Sequence, residues 1–174
     1  MGLSQWLDLL QGDMPQQICY ENRGFNAKET NVIRIEEISA AQVHTGYLPE
    51  NVQKLEQMIQ ICKDMQVTCS IVVVPLSDAY LYASEGWDDF YEYMKAFSQE
   101  HNCELYDFNL LRNRYEIFSD TSSFYDISHM SNQGATAFSK VYADIMKRVM
   151  HGEAIDALFY SSYQEMLLDS PYAK

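Results

Sequence analysis

Asp126 and His129 stand three residues apart in the stretch Ser122-Ser123-Phe124-Tyr125-Asp126-Ile127-Ser128-His129-Met130-Ser131-Asn132-Gln133-Gly134-Ala135. At that spacing a single turn of chain folds the carboxylate back onto the imidazole. The acid then accepts from Nδ1–H, which sets the tautomer and the ring orientation. Nε2 is left free to take a proton from a hydroxyl nucleophile. The carboxylate also favours the imidazolium that forms during such an attack. Read on spacing alone, the same residues also fit a loop aspartate that caps a turn beside a polar histidine.

Other groups capable of chemistry point less far. The cysteines are Cys19, Cys62, Cys69 and Cys103. None forms a C-x-x-C pair, and no histidine sits at zinc-ligand spacing from them. They read first as buried free thiols and second as a disulfide, with no metal site and no cofactor site. Arg112 and Arg114 are positioned either to meet an anionic substrate or to form surface salt bridges. The aromatic stretch 80–97 fits a core face better than a carbohydrate or acyl cleft, and His44 reads as a lone loop histidine.

The elements around the Asp–His segment alternate helix and strand, which points to an α/β fold with a small parallel sheet flanked by helices. Residues 3–11 read as a short helix, and Val32, Ile33 and Ile35 as a short extended segment. Pro49 opens a helix to about residue 65. Its inward face would hold Val52, Leu55, Met58, Ile59, Cys62 and Met65. The run from Val67 to Val74, stopped by Pro75, has the continuous apolar character of a parallel strand covered on both faces. Residues 76–84 read as a loop, with Ser84 capping a helix over about 85–101 that turns Trp87, Phe90, Tyr91, Met94 and Phe97 inward. A second strand follows at Cys103–Phe108. Ser131 caps a further helix with Ala135, Phe138, Tyr142, Ile145 and Val149 inside. Ile155, Leu158, Phe159, Tyr163 and Leu167 make an amphipathic tail suited to packing on this chain or on a partner, a second copy included.

The run Phe124-Tyr125-Asp126-Ile127-Ser128-His129-Met130, followed by Gly134-Ala135 and a helix, resembles the last block of the SGNH (GDSL-type) hydrolase superfamily. The order upstream of it is similar to the C-terminal half of bacterial cell-surface members: a helix over Asn51–Met65, the strand ending at Pro75, a tyrosine-rich loop, a helix, then Tyr106-Asp107-Phe108-Asn109. Those members include relatives of the teichoic-acid D-alanylation and polysaccharide O-acetylation proteins. The resemblance covers roughly residues 50–150. It implies part of a flavodoxin-like three-layer sandwich, divided as an N-terminal extension (1–49), an SGNH-like core (50–150) and a C-terminal amphipathic tail (151–174). It implies Asp126 as the orienting acid, His129 as the general base, an acyl ester or carbohydrate ester as substrate, and a cell-surface location. Members draw their nucleophile from an N-terminal Gly-Asp-Ser-type block and oxyanion donors from a glycine and an asparagine. This sequence contains neither Gly-Asp-Ser nor Gly-x-Asn-Asp, and Gly12-Asp13-Met14 has methionine at the nucleophile's place. The expectation is therefore the C-terminal portion of a serine esterase or acyltransferase, inactive by itself. The alternative is a non-catalytic binding or assembly module of the same descent.

Bulk properties narrow the partners. With 174 residues and 47% hydrophobic content the chain can bury one core. A net charge of -13 disfavours nucleic acid, whose phosphates would be repelled. The longest apolar run, Ile71–Val74, is far too short for a membrane span, and the N-terminus lacks the basic flank and apolar core of a signal peptide. Free cysteines suit a reducing compartment, which keeps a cytoplasmic location as the alternative to the cell surface.

Overall fold

The structure, a computed structural model, describes residues 48–173. The short helix at 3–11, the extended segment at Val32–Ile35, Cys19 and His44 lie outside the described residues. Pro49, whose missing N–H costs nothing in a first turn, opens α1 (Pro49–Asp64), with Glu50 at its N-terminus and Lys63 in its last turn, both matched to the helix dipole. The helix ends in a Schellman turn. Gln66 takes the left-handed φ of 56°, its N–H reaches the Lys63 carbonyl at 3.0 Å, and the Val67 N–H reaches the Cys62 carbonyl at 2.8 Å.

The chain then enters β1 (Ser70–Val73), which leads through Pro75 into a six-residue helix, α2 (Asp78–Ala83). Next come α3 (Trp87–Glu100) and β2 (Glu104–Asp107). The two strands pair in parallel, Ser70 with Glu104 through Val73 with Asp107, with α2 and α3 in the crossover between them. A 3₁₀ turn (Phe108–Leu110), a four-residue α4 (Arg114–Ile117) and a long loop follow. After the loop come α5 (Asn132–Met150), a second 3₁₀ turn (Asp156–Leu158) and α6 (Tyr163–Leu168). This is the α/β class with a small parallel sheet flanked by helices. Among the described residues the sheet has two strands, and no helix is long and apolar enough to cross a membrane.

Two buried clusters hold these elements. One joins Leu81 and Trp87 to Leu110, Tyr160, Tyr163 and Met166, with the Trp87 ring stacked on Tyr163 at 5.4 Å. The other joins Tyr106, Phe108 and Leu111 to Ile145 of α5, with Phe138, Tyr142 and Val149 packed against it. Fully burying a side chain such as Phe108 stabilises the fold by about 2 kcal/mol. The apolar residues of the tail are thus used within the chain. Asp88 of α3 fastens it further, accepting from the N–H groups of Tyr163 (2.7 Å) and Gln164 (3.1 Å) at the start of α6.

Several of these elements depart from sequence expectation. In α1 the inward stripe is Val52, Leu55, Ile59 and Cys62, spaced at three and four, while Met58 and Met65 fall a step around the helix and are 55% and 69% exposed. β1 is shorter than the apolar run from Val67 to Val74 and only half-buried, because its faces lack the cover a central strand receives. Residues 78–83 are helical: the Ser77 hydroxyl accepts from the Tyr80 N–H at 3.2 Å and so caps the turn. Ser84 does not cap α3, which begins after Gly86 at a left-handed φ of 91°. Among the described residues the buried Ser84 Oγ has no hydrogen-bond partner.

Candidate active site

The loop carrying Asp126 and His129 is closed at its base. Phe124, fully buried, forms an antiparallel bridge with Met130, and the Tyr125 N–H donates to the His129 carbonyl at 2.8 Å. Below the bridge, the Ser131 N–H donates to the Ser123 carbonyl (2.9 Å) and the Ser131 hydroxyl to the Ser122 carbonyl (2.7 Å). The same hydroxyl oxygen accepts from the Gly134 N–H at 3.1 Å, capping α5. One serine thus ties the end of the loop to the start of the helix, as its position predicts.

Within the loop, one Asp126 oxygen accepts from the backbone N–H groups of Ser128 (2.9 Å) and His129 (2.8 Å). His129 Nδ1 lies 2.9 Å from each carboxylate oxygen, so the two side chains meet as the spacing allows. Partial burial raises the Asp126 carboxyl, but the Ser128 N–H, the His129 ring and the His129 N–H together outweigh it and hold it below the ordinary carboxylate range. Asp126 is therefore ionised at neutral pH, oriented by two amides before it receives the ring. The His129 side chain is 71% exposed. Among the described residues its Nε2 has no hydrogen-bond partner. Neither Asp126 nor His129 lines the cavities of about 880, 780 and 670 Å³ found among the described residues.

The loop is anchored to the C-terminal end of the sheet. Ser77, just beyond β1, donates its N–H (3.3 Å) and its hydroxyl (3.1 Å) to the Ile127 carbonyl. With its oxygen also accepting from Tyr80 N–H, the buried Ser77 hydroxyl is spent on structure and is not a free nucleophile.

Beneath lies a buried polar network that spacing did not reveal. Arg114 is wholly buried and pairs with Asp78 through Nε (3.0 Å) and Nη2. It also donates to the carbonyls of Asn109 and Leu76, both at 2.8 Å. Asn109 accepts from the Leu76 N–H at 2.8 Å, and Asp107 accepts from the Asn109 N–H (2.9 Å) and the Tyr163 hydroxyl (2.7 Å). These bonds clamp the segments that leave β1 and β2. Asp120 completes them from the following loop, its two oxygens accepting from the N–H groups of Asp78 and Ala79 at 2.8 Å each. Arg114 is thus a core residue, unlike the surface position expected of it. Arg112 is exposed, bridged to Glu165 at 3.1 Å and set over the Tyr160 ring. The signal in the sequence was the polar Asp107–Asn109 pair at the end of a strand.

Among the described residues no group of three or more His, Cys, Asp or Glu side chains is arranged to hold a metal ion. Comparisons with family models, with characterised proteins and with solved structures returned no match to this chain.

Proposed function

We propose that this chain carries the acid–base half of an SGNH-type serine esterase or acyltransferase acting on a carbohydrate or cell-envelope ester, with the nucleophilic serine and oxyanion donors supplied from outside residues 48–173. The observation that carries the reading is the contact of His129 Nδ1 with the Asp126 carboxylate at 2.9 Å, in a loop pinned beyond the C-terminal end of a parallel strand. α/β proteins gather reactive groups at that end of the sheet. Asp126, ionised and held by two amides, fixes the ring so that Nε2 faces outward. Nε2 then withdraws the hydroxyl proton as the serine attacks the ester carbonyl, and returns it to the departing alkoxide. The resemblance of the segment from Phe124 to Ala135 to the last SGNH block supports the same assignment.

The test is p-nitrophenyl acetate hydrolysis by the protein expressed from its complete reading frame. Turnover should fall in His129→Ala and Asp126→Asn, and a serine-directed fluorophosphonate should label a residue other than Ser77. Turnover that survives His129→Ala would overturn the assignment. The exposed Nε2, without a hydroxyl partner among the described residues, favours a second reading: a binding or assembly module that keeps the fold without the reaction. Absence of any turnover, with a dimer in light scattering, would select it.

A further inference from the structure

We infer that the outer edge of β1 is a strand-docking site, and that its occupant is this chain's own segment Asn31-Val32-Ile33-Arg34-Ile35, paired in parallel. The inference stands apart from the ester reaction and holds with or without it. Among the described residues β1 pairs with β2 alone, so one of its edges is open. Burial marks the missing neighbour. Tyr106 and Asp107 of β2 are buried, while their register partners Val72 and Val73 of β1 are only half-buried. An open edge of this kind is a template for a further strand.

The helices decide which strand can sit there. Val72 and Tyr106 turn toward α5 and pack with Ile145. Leu105, one residue along, points to the other face. There it lines the cavity of about 880 Å³ with Ile59 and Lys63 of α1 and Tyr91 and Ser98 of α3. His101, at the end of α3, brings Nε2 to 3.7 Å from the Glu56 carboxylate of α1. α1 and α3 therefore lie side by side on one face of the sheet. A crossover between parallel strands is right-handed in about 98% of cases. β1, α3 and β2 form one such unit. With α1 on the same face, a parallel strand that enters α1 must step toward β1 in the direction that β1 steps toward β2. It then falls on the open edge and nowhere else.

The apolar arc of α1 agrees. Successive helical residues turn by about 100°. Glu56 and Lys63 stand on the side toward α3, and Ile59 is buried beside them. Past the inward stripe, on the side away from α3, come Met58 and Met65, both exposed. They stand over the place that the added strand takes. The chain that leads into α1 supplies that strand. Val32, Ile33 and Ile35 are the β-branched residues that suit a pleated surface. Residues 36–48 with α1 make a crossover of the length that parallel pairing needs. A segment tied to α1 loses only loop-closure entropy on docking, whereas a second copy would also lose its freedom to diffuse. Parallel pairing sets the end of the segment, toward Glu36, at the end of the sheet where Ser77 holds the Asp126–His129 loop.

The experiment is nuclear magnetic resonance on the whole chain, labelled with ¹³C and ¹⁵N. Cross-strand contacts between the Hα and amide protons of 31–35 and those of Ser70–Val73, in the parallel pattern, are the expected result. A sample that mixes labelled with unlabelled copies, filtered for contacts between copies, should be blank. Hydrogen exchange adds a second measurement. Successive N–H groups of a strand point to opposite edges, so one of Ile33→Pro and Arg34→Pro removes a donor aimed at β1. That variant should speed exchange of the β1 amides by about tenfold or more, with the circular dichroism of the parent. If it fails to fold, the proton contacts of the parent chain decide alone. Contacts found only between copies, contacts of 31–35 with β2 in place of β1, or exchange of 31–35 at the rate of an unstructured peptide would each overturn the inference. So would β1 amides that neither proline variant affects.

Discussion

A Cβ atom placed on Gly134 would lie 1.9 Å from the carbonyl oxygen of Ser123. The first turn of α5 therefore rests directly on the backbone that opens the Asp126–His129 loop. The obstacle is backbone, not a side chain able to swing aside, so only glycine permits this approach. Gly134→Ala should cost about 1–3 kcal/mol in urea unfolding, although alanine is the better helix former by about 1 kcal/mol. The amide resonances of 123–130 should shift with it. An alanine variant as stable as the parent would refute this packing.

The dyad should matter to chemistry and hardly to stability. Both side chains are substantially exposed, and exposed ion pairs contribute about 0–1 kcal/mol. Asp126→Asn and His129→Ala should therefore shift unfolding midpoints little. If the proposed activity holds, each should cut ester turnover of the complete protein by about a hundredfold or more. A large stability loss in either variant would mark the pair as structural.

Arg114 is the reverse case. Its guanidinium, fully buried, is bound by Asp78 and by two carbonyls. Arg114→Met leaves Asp78 buried without its cation and should cost about 3–5 kcal/mol. The double variant Arg114→Met with Asp78→Leu should recover much of that loss, since neither charge then remains. A double-mutant cycle by chemical denaturation measures the coupling, and additive losses would contradict it.

Asp78 also sets a pH dependence. Burial raises its carboxyl from 3.8 to about 6, against the downward pull of Arg114. The folded state thus holds this proton more tightly than the unfolded chain does. The contribution is fully present below the unfolded value and is lost as pH rises through about 6, a fall of up to about 3 kcal/mol. Asp107, also raised by burial, acts in the same direction. Asp126 is lowered and acts oppositely, its smaller contribution disappearing as pH falls. Urea titrations between about pH 4 and 6 should show the decline, and Asp78→Asn should flatten it. An equally steep slope in that variant would assign the effect elsewhere.

Local rules account for much of what was legible. Ser131 caps α5 and Pro49 opens α1, because both effects depend on a few neighbouring residues. Asp126 reaches His129 because a turn of that length lets one carboxylate cap the turn and meet the ring at once. The aromatic face of α3 is inward because its period follows from helix geometry.

The sequence by itself determined the helices α1, α3 and α5 and the α/β class, and allowed Asp126 to meet His129, since each depends on spacing along a short piece of chain. Only the tertiary structure decided that Arg114 is a core cation, that Ser77 is spent on the Ile127 carbonyl, and that Asp88 and Tyr163 seat the tail on the core. Those partners are 36 residues apart for Arg114 and Asp78 and 75 for Tyr163 and Asp88. Burial and long-range hydrogen bonding are properties of the packed chain, and they change a residue's chemistry without leaving a pattern in its neighbours.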